Sequence, residues 1–191
     1  LRMMPNMVLT APANEVEVKL ALEFAAGAKK PVIIRYPKDL VPAPKFVRSA
    51  CGRPFTLGKS VVVKKGKGAS VAIVAYGSVL SEAIGAAGIL GREGMAVEVI
   101  NARFAAPIDE SIVAKLLEGK GLVTVEDHRL SCGFGSAVLE EAARMGQIRG
   151  RIAMLGMDKS FVGHDLRRVQ LESAGVSAKG IVRAVKGMVG A

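Results

Sequence analysis

The sequence has no tryptophan, only two cysteines and two histidines, and few aromatic residues, which make up 4% of its 191 positions. A core must therefore be built mainly from Val, Ile, Leu, Ala and Met. Half of the residues are apolar and 22 are glycine, a composition that suits an α/β protein better than a β-sandwich or a barrel. The chain is long enough to bury a substantial core, as one large domain or two small ones.

The two cysteines, Cys51 and Cys132, lie far apart and form no CxxC or Cys/His spacing. This spacing argues against a disulfide framework and against a structural zinc site. We therefore expect reduced thiols and a cytoplasmic protein.

Long apolar runs are also missing, because Lys, Arg or Glu interrupts each run well before the ~20 residues that span a bilayer. The sequence thus predicts a soluble protein with no membrane partner. The opening, LRMMPNMVLT, lacks the pattern of a signal peptide, and we interpret it as a start within a fold. GxSxG, Walker and HExxH motifs are absent, which removes the usual support for hydrolase and P-loop functions.

Acidic residues are absent from Leu40 to Ser81, whereas the formal net charge of the chain is +10. This segment contains Lys45, Arg48, Arg53, Lys59, Lys64, Lys65 and Lys67. A basic segment could bind nucleic acid, but no aromatic stacking platform or nucleic-acid motif accompanies it. We therefore favour a solvated linker and expect no nucleic-acid partner.

The amino-terminal part predicts a strand, a helix and a second strand. Met7 to Thr10 is β-prone, Asn14 is a good N-cap for a helix that ends at Gly27, and Pro31 to Tyr36 forms the next strand. An apolar second strand is typical of a parallel βαβ unit. The cluster Pro37, Pro42, Pro44 and Pro54 then marks a boundary, which divides the chain into residues 1–50 and 51–191.

The second unit alternates between strands and helices, which predicts a doubly wound, mostly parallel sheet. Ser78 is the expected N-cap of the first helix in this unit. After a strand in FTLGKSVVVKKGKG, we expect strands at 71–75, 96–100, 122–126 and 152–155, and helices at 78–92, 108–118, 135–145, 165–173 and 177–189.

Arg35 is the first candidate site residue. It follows the apolar run Val32 to Ile34, and ligands of open parallel sheets gather at the carboxyl ends of strands. Pro37 ends regular pairing just beyond it. A guanidinium at this position could hold a phosphate or a carboxylate through two hydrogen bonds. The alternative is an ion pair with Asp39 or with an acid from elsewhere.

The segment EDHRLSCGFGSAV suggests two weaker hypotheses. Glu126, Asp127 and His128 are metal-ligand types, but three consecutive residues of an extended chain cannot all face one ion. The GFGSAV stretch resembles a phosphate loop, yet Val138 stands where GxGxxG requires glycine. Glycines that let a helix start close to a sheet are the simpler explanation. His164 could act as an acid or base, although a loop histidine is more often structural.

Several segments together resemble 1-deoxy-D-xylulose-5-phosphate synthase, a family of thiamine-diphosphate enzymes in the transketolase group. These segments are PNMVLTAPANEVE, VIIRYPKD, LGKSVVVKKGKGASVAIVAYGS, INARFAAPIDE, VTVEDHRLSCGFGSAVLE and SAGVSAKGI. They follow the order of the family and cover nearly the whole chain.

The resemblance implies a function for the intact enzyme. It would condense pyruvate with D-glyceraldehyde 3-phosphate, with loss of CO2, to give 1-deoxy-D-xylulose 5-phosphate, a precursor of isoprenoids, thiamine and pyridoxal. The family binds thiamine diphosphate and Mg²⁺ upstream of the segment that corresponds to Leu1 and acts as a homodimer. The chain would then contain the end of a pyrimidine-binding domain (residues 1–50) and a transketolase carboxyl-terminal domain (51–191), and it would be inactive by itself.

The same resemblance assigns two substrate-binding residues. The arginine of the family's Arg-Tyr-Pro element falls on Arg35, which would hold the phosphate of D-glyceraldehyde 3-phosphate. Lys38 replaces the second arginine of that element and keeps the charge without the bidentate fork. Asp39 stands where the family usually has glycine, and Met157 falls within a pair that is usually Leu-Pro.

An alternative function belongs to another class. The chain could be a non-catalytic dimerisation or assembly module of another transketolase-like enzyme, such as a 2-oxo acid dehydrogenase β subunit. The Arg-Tyr-Pro element favours the synthase.

Overall fold

A computed structural model of the chain describes residues 1–39 and 51–190. The predicted boundary between residues 50 and 51 adjoins the segment 40–50, so Pro42, Pro44, Lys45 and Arg48 lie outside the described residues. The division into two domains therefore stays a prediction.

The described residues form eight strands and six helices. The strands are β1 (Val8–Thr10), β2 (Val32–Ile34), β3 (Val61–Lys64), β4 (Val71–Tyr76), β5 (Glu98–Asn101), β6 (Phe104–Ala106), β7 (Gly121–Arg129) and β8 (Ile152–Met157). The helices are α1 (Glu15–Gly27), α2 (Leu80–Arg92), α3 (Glu110–Leu117), α4 (Phe134–Met145), α5 (Arg167–Ser173) and α6 (Ala178–Val189).

Five strands form the large sheet, in the order β3-β5-β4-β7-β8. Strand β3 runs antiparallel to β5, and the other neighbouring pairs are parallel. All six residues of β4 are buried, as a central parallel strand covered on both faces requires. Helices α2 and α6 contribute to the core on one face, and α3 and α4 to the core on the other. The predicted α/β class with a parallel-rich, doubly wound sheet is confirmed.

A smaller sheet has the order β2-β1-β6. Strands β1 and β2 are parallel and are joined by α1, as the βαβ pattern predicts. The Asn14 side chain accepts a hydrogen bond from Glu17 N, and this caps α1 as expected. Strand β6 was not expected from the sequence. It pairs antiparallel with β1, so the later part of the chain supplies the third strand of the first sheet.

A buried ion pair between Glu17 and Arg103 also connects helix α1 with the segment before β6. Glu17 of α1 and Arg103, which precedes β6, are 0% and 1% exposed, and their charged groups are 2.7 Å apart. Arg103 also donates to the backbone carbonyls of Arg53 and Pro54, and Asn101 donates to the Glu17 carboxylate. The buried charges are thus paired and hydrogen-bonded, as burial requires.

The N-cap predicted for α2 is wrong. The cap position is Val79, which has no side-chain capping bond. The Ser78 hydroxyl instead accepts a hydrogen bond from Arg167 and lies 3.4 Å from an oxygen of Asp127. None of the helices within residues 1–39 and 51–190 combines the length and the apolar character needed to cross a bilayer.

Candidate anion-binding site

The carboxyl edge of the large sheet has a topological switch point at β4. The chain passes from β4 through α2 to β5 on one side, and β7 then pairs with β4 on the other. Open parallel sheets bind ligands at such a point because the flanking loops diverge there. The turn after β4 contains Ser78, and the corresponding end of β7 contains Asp127.

Arg35 reaches this edge from the small sheet. Its backbone N–H donates to the Thr10 carbonyl over 2.8 Å, which continues the pairing of β2 with β1 by one residue. The side chain then crosses to β7, where it forms an ion pair with the Asp127 carboxylate and a longer contact, 3.4 Å, with the Asp127 carbonyl. The Arg35 side chain is 36% exposed. The ion pair with an acid from elsewhere in the chain, weighed as an alternative for Arg35, is therefore present.

Asp127 is the centre of the cluster. Its side chain is 3% exposed, and one carboxylate oxygen faces Arg35 while the other lies 2.6 Å from the Arg167 guanidinium. Burial by itself raises the pKa of a carboxyl group, but the charges and hydrogen bonds of Arg35 and Arg167 outweigh burial and hold the pKa of Asp127 below its ordinary value. Asp127 is therefore ionised at neutral pH.

Arg167 is the site residue that the sequence analysis missed. It lies at the start of α5 and also forms a 2.9 Å ion pair with Asp39, just beyond the Arg-Tyr-Pro element. The sequence offers little signal for this contact, because Arg167 stands among several other charged residues after the exposed loop 158–166 and its partners are distant along the chain. The only hint is Asp39, a charged residue where the related family usually has glycine.

Lys38, the second predicted site residue, is exposed and lines a cleft of about 1030 Å³. The cleft lies between the start of α1, the segment Tyr36 to Asp39, and helices α5 and α6. Ser78 and Arg167 also line it, whereas Arg35 lies beyond its lining. Within the described part of the chain, Lys38 makes no ion pair or hydrogen bond with Arg35 or Asp127. The structure thus places Lys38 in the cleft and Arg35 in the neighbouring cluster.

The Glu126 carboxylate binds the backbone N–H groups at the glycine-rich start of α4, where a phosphate loop would bind phosphate. Glu126, which is 0% exposed, accepts hydrogen bonds from Phe134 N over 2.7 Å and from Gly135 N over 2.9 Å. A Cβ atom at Gly133 would lie 2.2 Å from a Glu126 carboxylate oxygen, and one at Gly135 would lie 2.7 Å from the Thr124 hydroxyl. The phosphate-loop hypothesis is therefore wrong, and close approach of the helix to the sheet explains both glycines.

The side chains of Glu126, Asp127 and His128 do not converge on one point. The Asp127 carboxylate faces the arginines, whereas Glu126 binds the start of α4 and lies 2.7 Å from the imidazole Nδ1 of His128. Among residues 1–39 and 51–190, no three His, Cys, Asp or Glu side chains come together in a group that could hold a metal ion. His164 is exposed in the loop before α5.

Comparisons with known proteins agree with this architecture. A family profile described as "Transketolase, C-terminal domain" matches residues 58–181. Proteins named 1-deoxy-D-xylulose-5-phosphate synthase from Magnetococcus marinus and Thermus thermophilus are 33% and 38% identical to the chain, over 100% and 98% of its length. The chain spans only 30% and 29% of these relatives.

Two solved structures share the fold. A protein titled "Split gene transketolase, inactive beta4 tetramer" superposes with a TM-score of 0.85 at 30% identity, covering 98% of this chain and 59% of its own. A transketolase mutant from Pichia stipitis superposes with a TM-score of 0.73 at 17% identity, over 99% of this chain and 26% of its own, which indicates a common fold.

Proposed function

The chain belongs to the transketolase carboxyl-terminal domain family, and on this basis we propose that it is the carboxyl-terminal part of a 1-deoxy-D-xylulose-5-phosphate synthase. The synthases from Magnetococcus marinus and Thermus thermophilus match it over 98% or more of its length. The intact enzyme would condense pyruvate with D-glyceraldehyde 3-phosphate, releasing CO2, and its product would serve isoprenoid, thiamine and pyridoxal synthesis.

Thiamine diphosphate would supply the decarboxylation and the carbon–carbon bond formation in this reaction. We assign none of the residues of this chain to the cofactor or to Mg²⁺, because the family resemblance implies that both bind upstream of Leu1. The function of this chain in the proposed enzyme is instead to bind and orient the phosphorylated substrate.

Arg35 is the residue we propose for the phosphate. Its guanidinium lies at a strand end and is partly exposed. Two of its nitrogens donate to Asp127, one to the carboxylate and one to the backbone carbonyl. A guanidinium has five N–H donors, so about three remain for a phosphate, enough for a bidentate contact. This partly open arginine is the single observation that supports the assignment most. Lys38, exposed in the neighbouring cleft, is a secondary candidate that would add charge without fixed geometry.

The test is Arg35→Ala in the full-length enzyme. We expect the KM for D-glyceraldehyde 3-phosphate to rise at least about tenfold, because a charge-assisted contact to the phosphate is lost. The KM for pyruvate should stay within about twofold, since pyruvate carries no phosphate. Arg144→Ala is the matched control, because Arg144 is an exposed arginine whose pair is Glu141 on the outer face of α4.

The same variant should be assayed with unphosphorylated D-glyceraldehyde. If Arg35 binds the phosphate, Arg35→Ala leaves kcat/KM for this substrate nearly unchanged while lowering it for the phosphorylated one. Equal losses with both aldehydes, or equal changes in both KM values, would exclude the proposed contact.

We also propose a homodimeric enzyme of the cytoplasm. The transketolase relative named as a tetramer supports self-association, and the two free cysteines, one buried and one exposed, are compatible with a reducing compartment.

A further inference from the structure

We infer that Asp127 is a positioning residue for Arg35, and that Asp127 and Arg167 together clamp the segment Arg35 to Asp39 in place. This inference rests on the proposed function of Arg35 as the phosphate-binding residue. Residues 51–190, here called the carboxyl-terminal unit, would then support a substrate site whose arginine, Arg35, precedes them in the chain.

The geometry of Asp127 is that of a fixed support. Its carboxylate is 3% exposed and divides its two oxygens between two guanidiniums, one oxygen toward Arg35 and one toward Arg167. Its backbone carbonyl faces a second nitrogen of Arg35 at 3.4 Å. The register of β7 with β8 shifts between Val125 and Arg129, and an irregularity of this kind redirects side chains at a strand end.

Charge explains why the support must be a carboxylate. The guanidiniums of Arg35 and Arg167 lie on either side of Asp127 and would repel each other if its carboxyl group were neutral. The Arg35 side chain is the more exposed of the two, at 36% against 27% for Arg167. Loss of the Asp127 charge would therefore free Arg35 to turn toward solvent. An arginine that samples several rotamers must be ordered again when a phosphate binds, which weakens binding.

Arg167 holds the other end of the segment. One of its terminal nitrogens lies 2.9 Å from the Asp39 carboxylate, and the other lies 2.6 Å from Asp127 and 3.0 Å from the Ser78 hydroxyl. The segment that carries Arg35 is thus attached to the carboxyl-terminal unit at both its first and its last residue. Asp39, unusual for the related family, has a role in this arrangement because it provides the second attachment.

A double-mutant cycle in the full-length enzyme tests the inference. Asp127→Asn keeps the size of the side chain and removes its charge. We expect it to raise the KM for D-glyceraldehyde 3-phosphate about tenfold, while kcat and the KM for pyruvate change by less than about twofold. In the Arg35→Ala background, Asp127→Asn should change the same KM by less than about twofold, because the residue it positions is gone.

The matched control is Glu98→Gln. Glu98 is another acid shared by two cations, 2.9 Å from Lys115 and 3.8 Å from Lys120, on strand β5 of the same sheet. Removal of its charge should leave both KM values unchanged. A merely structural role for Asp127 would lower the melting temperature without the selective and Arg35-dependent change in KM.

The outcomes separate the two proposals. If Arg35→Ala has no selective effect on the phosphorylated aldehyde, the proposed function of Arg35 fails. If Arg35→Ala is selective but Asp127→Asn is not, or if the two effects add independently, the positioning role of Asp127 is overturned. Should Asp127→Asn fail to fold, Asp127→Ser, which also removes the charge but leaves a smaller side chain, should give the same selective rise in KM.

Discussion

Arg35, Asp127 and Arg167 illustrate how one buried acid can organise two cations from different parts of a chain. The acid is almost fully buried, and the pairing with both arginines compensates its desolvation. Since the pKa of Asp127 is lowered in the folded state, the stability that it contributes is present above the ordinary pKa of an aspartate. This contribution is lost as the pH falls through the lowered value.

The two cysteines should differ sharply in reactivity. Burial, with the nearby Glu17 carboxylate, raises the pKa of Cys51 to about 12, and its side chain is 0% exposed, whereas Cys132 is exposed. We expect Cys132 to react with a thiol reagent at pH 8 at least about 100-fold faster than Cys51, because the thiolate is the reactive form.

A colorimetric thiol titration measures this difference. This chain in its folded state should show one fast thiol, Cys132, and denaturant should release the second, Cys51. Cys132→Ser should remove the fast phase only. Two fast thiols in the native protein would contradict the buried position of Cys51.

At this scale the sequence revealed the position of Arg35 but not its partners. Its placement at a strand end follows from a local pattern, an apolar run closed by proline. Its pairing with Asp127 depends on how two sheets meet, and no local pattern encodes that meeting. For the same reason Asp127 was considered as a metal ligand and Arg167 was missed.

The secondary-structure elements show where local patterns suffice. Helix α1 begins at the expected cap, Asn14, and α6 is capped by Ser177, the first residue of the helix expected at 177–189. The strands of the large sheet fall near their expected positions. Strand β6 escaped detection because it has three residues and follows Arg103, whose positive φ of 58° interrupts any extended run. Ser78 resembled a cap in sequence, but its hydroxyl is used by Arg167.

Two glycine substitutions test the packing of the elements. Gly133→Ala would place a Cβ atom 2.2 Å from the Glu126 carboxylate, whereas nothing lies within 4 Å of a Cβ atom at Gly187, in α6. We expect Gly133→Ala to lower the free energy of unfolding by about 1–3 kcal/mol, because the carboxylate that binds the start of α4 must move.

Gly187→Ala is the matched control. It should raise the free energy of unfolding by about 0.5–1 kcal/mol, because alanine is the better helix former. Urea unfolding of both variants measures these changes. A Gly133→Ala variant as stable as the wild type would mean that Glu126 does not need its present position.

At the scale of the whole molecule, β6 and the Glu17–Arg103 pair connect the small sheet with the large one. The family profile begins at residue 58, yet β1 and α1, which lie before it, share a sheet and a buried ion pair with residues inside it. Residues inside the range of the profile are therefore in direct contact with β1 and α1, which precede it.

The proposed homodimer can be tested by sedimentation of the whole enzyme. Sedimentation velocity of the full-length enzyme at micromolar concentration should show a dimer or a larger species. Arg35→Ala should sediment identically, because its predicted defect concerns substrate alone. A full-length protein that sediments as a monomer would remove the support for the proposed homodimer.

The strand order of the small sheet also constrains when the chain can fold during its synthesis. Leu9 pairs with Ala106, and Thr10 with Phe104. This sheet must therefore wait on the ribosome until residue 106 has emerged, by which time β4, α2 and β5 are already available. Such non-local pairing slows folding, since a long loop must close first. Strands β1 and β2 would thus be synthesised before the large sheet, but the small sheet would be complete only after part of the large one is available.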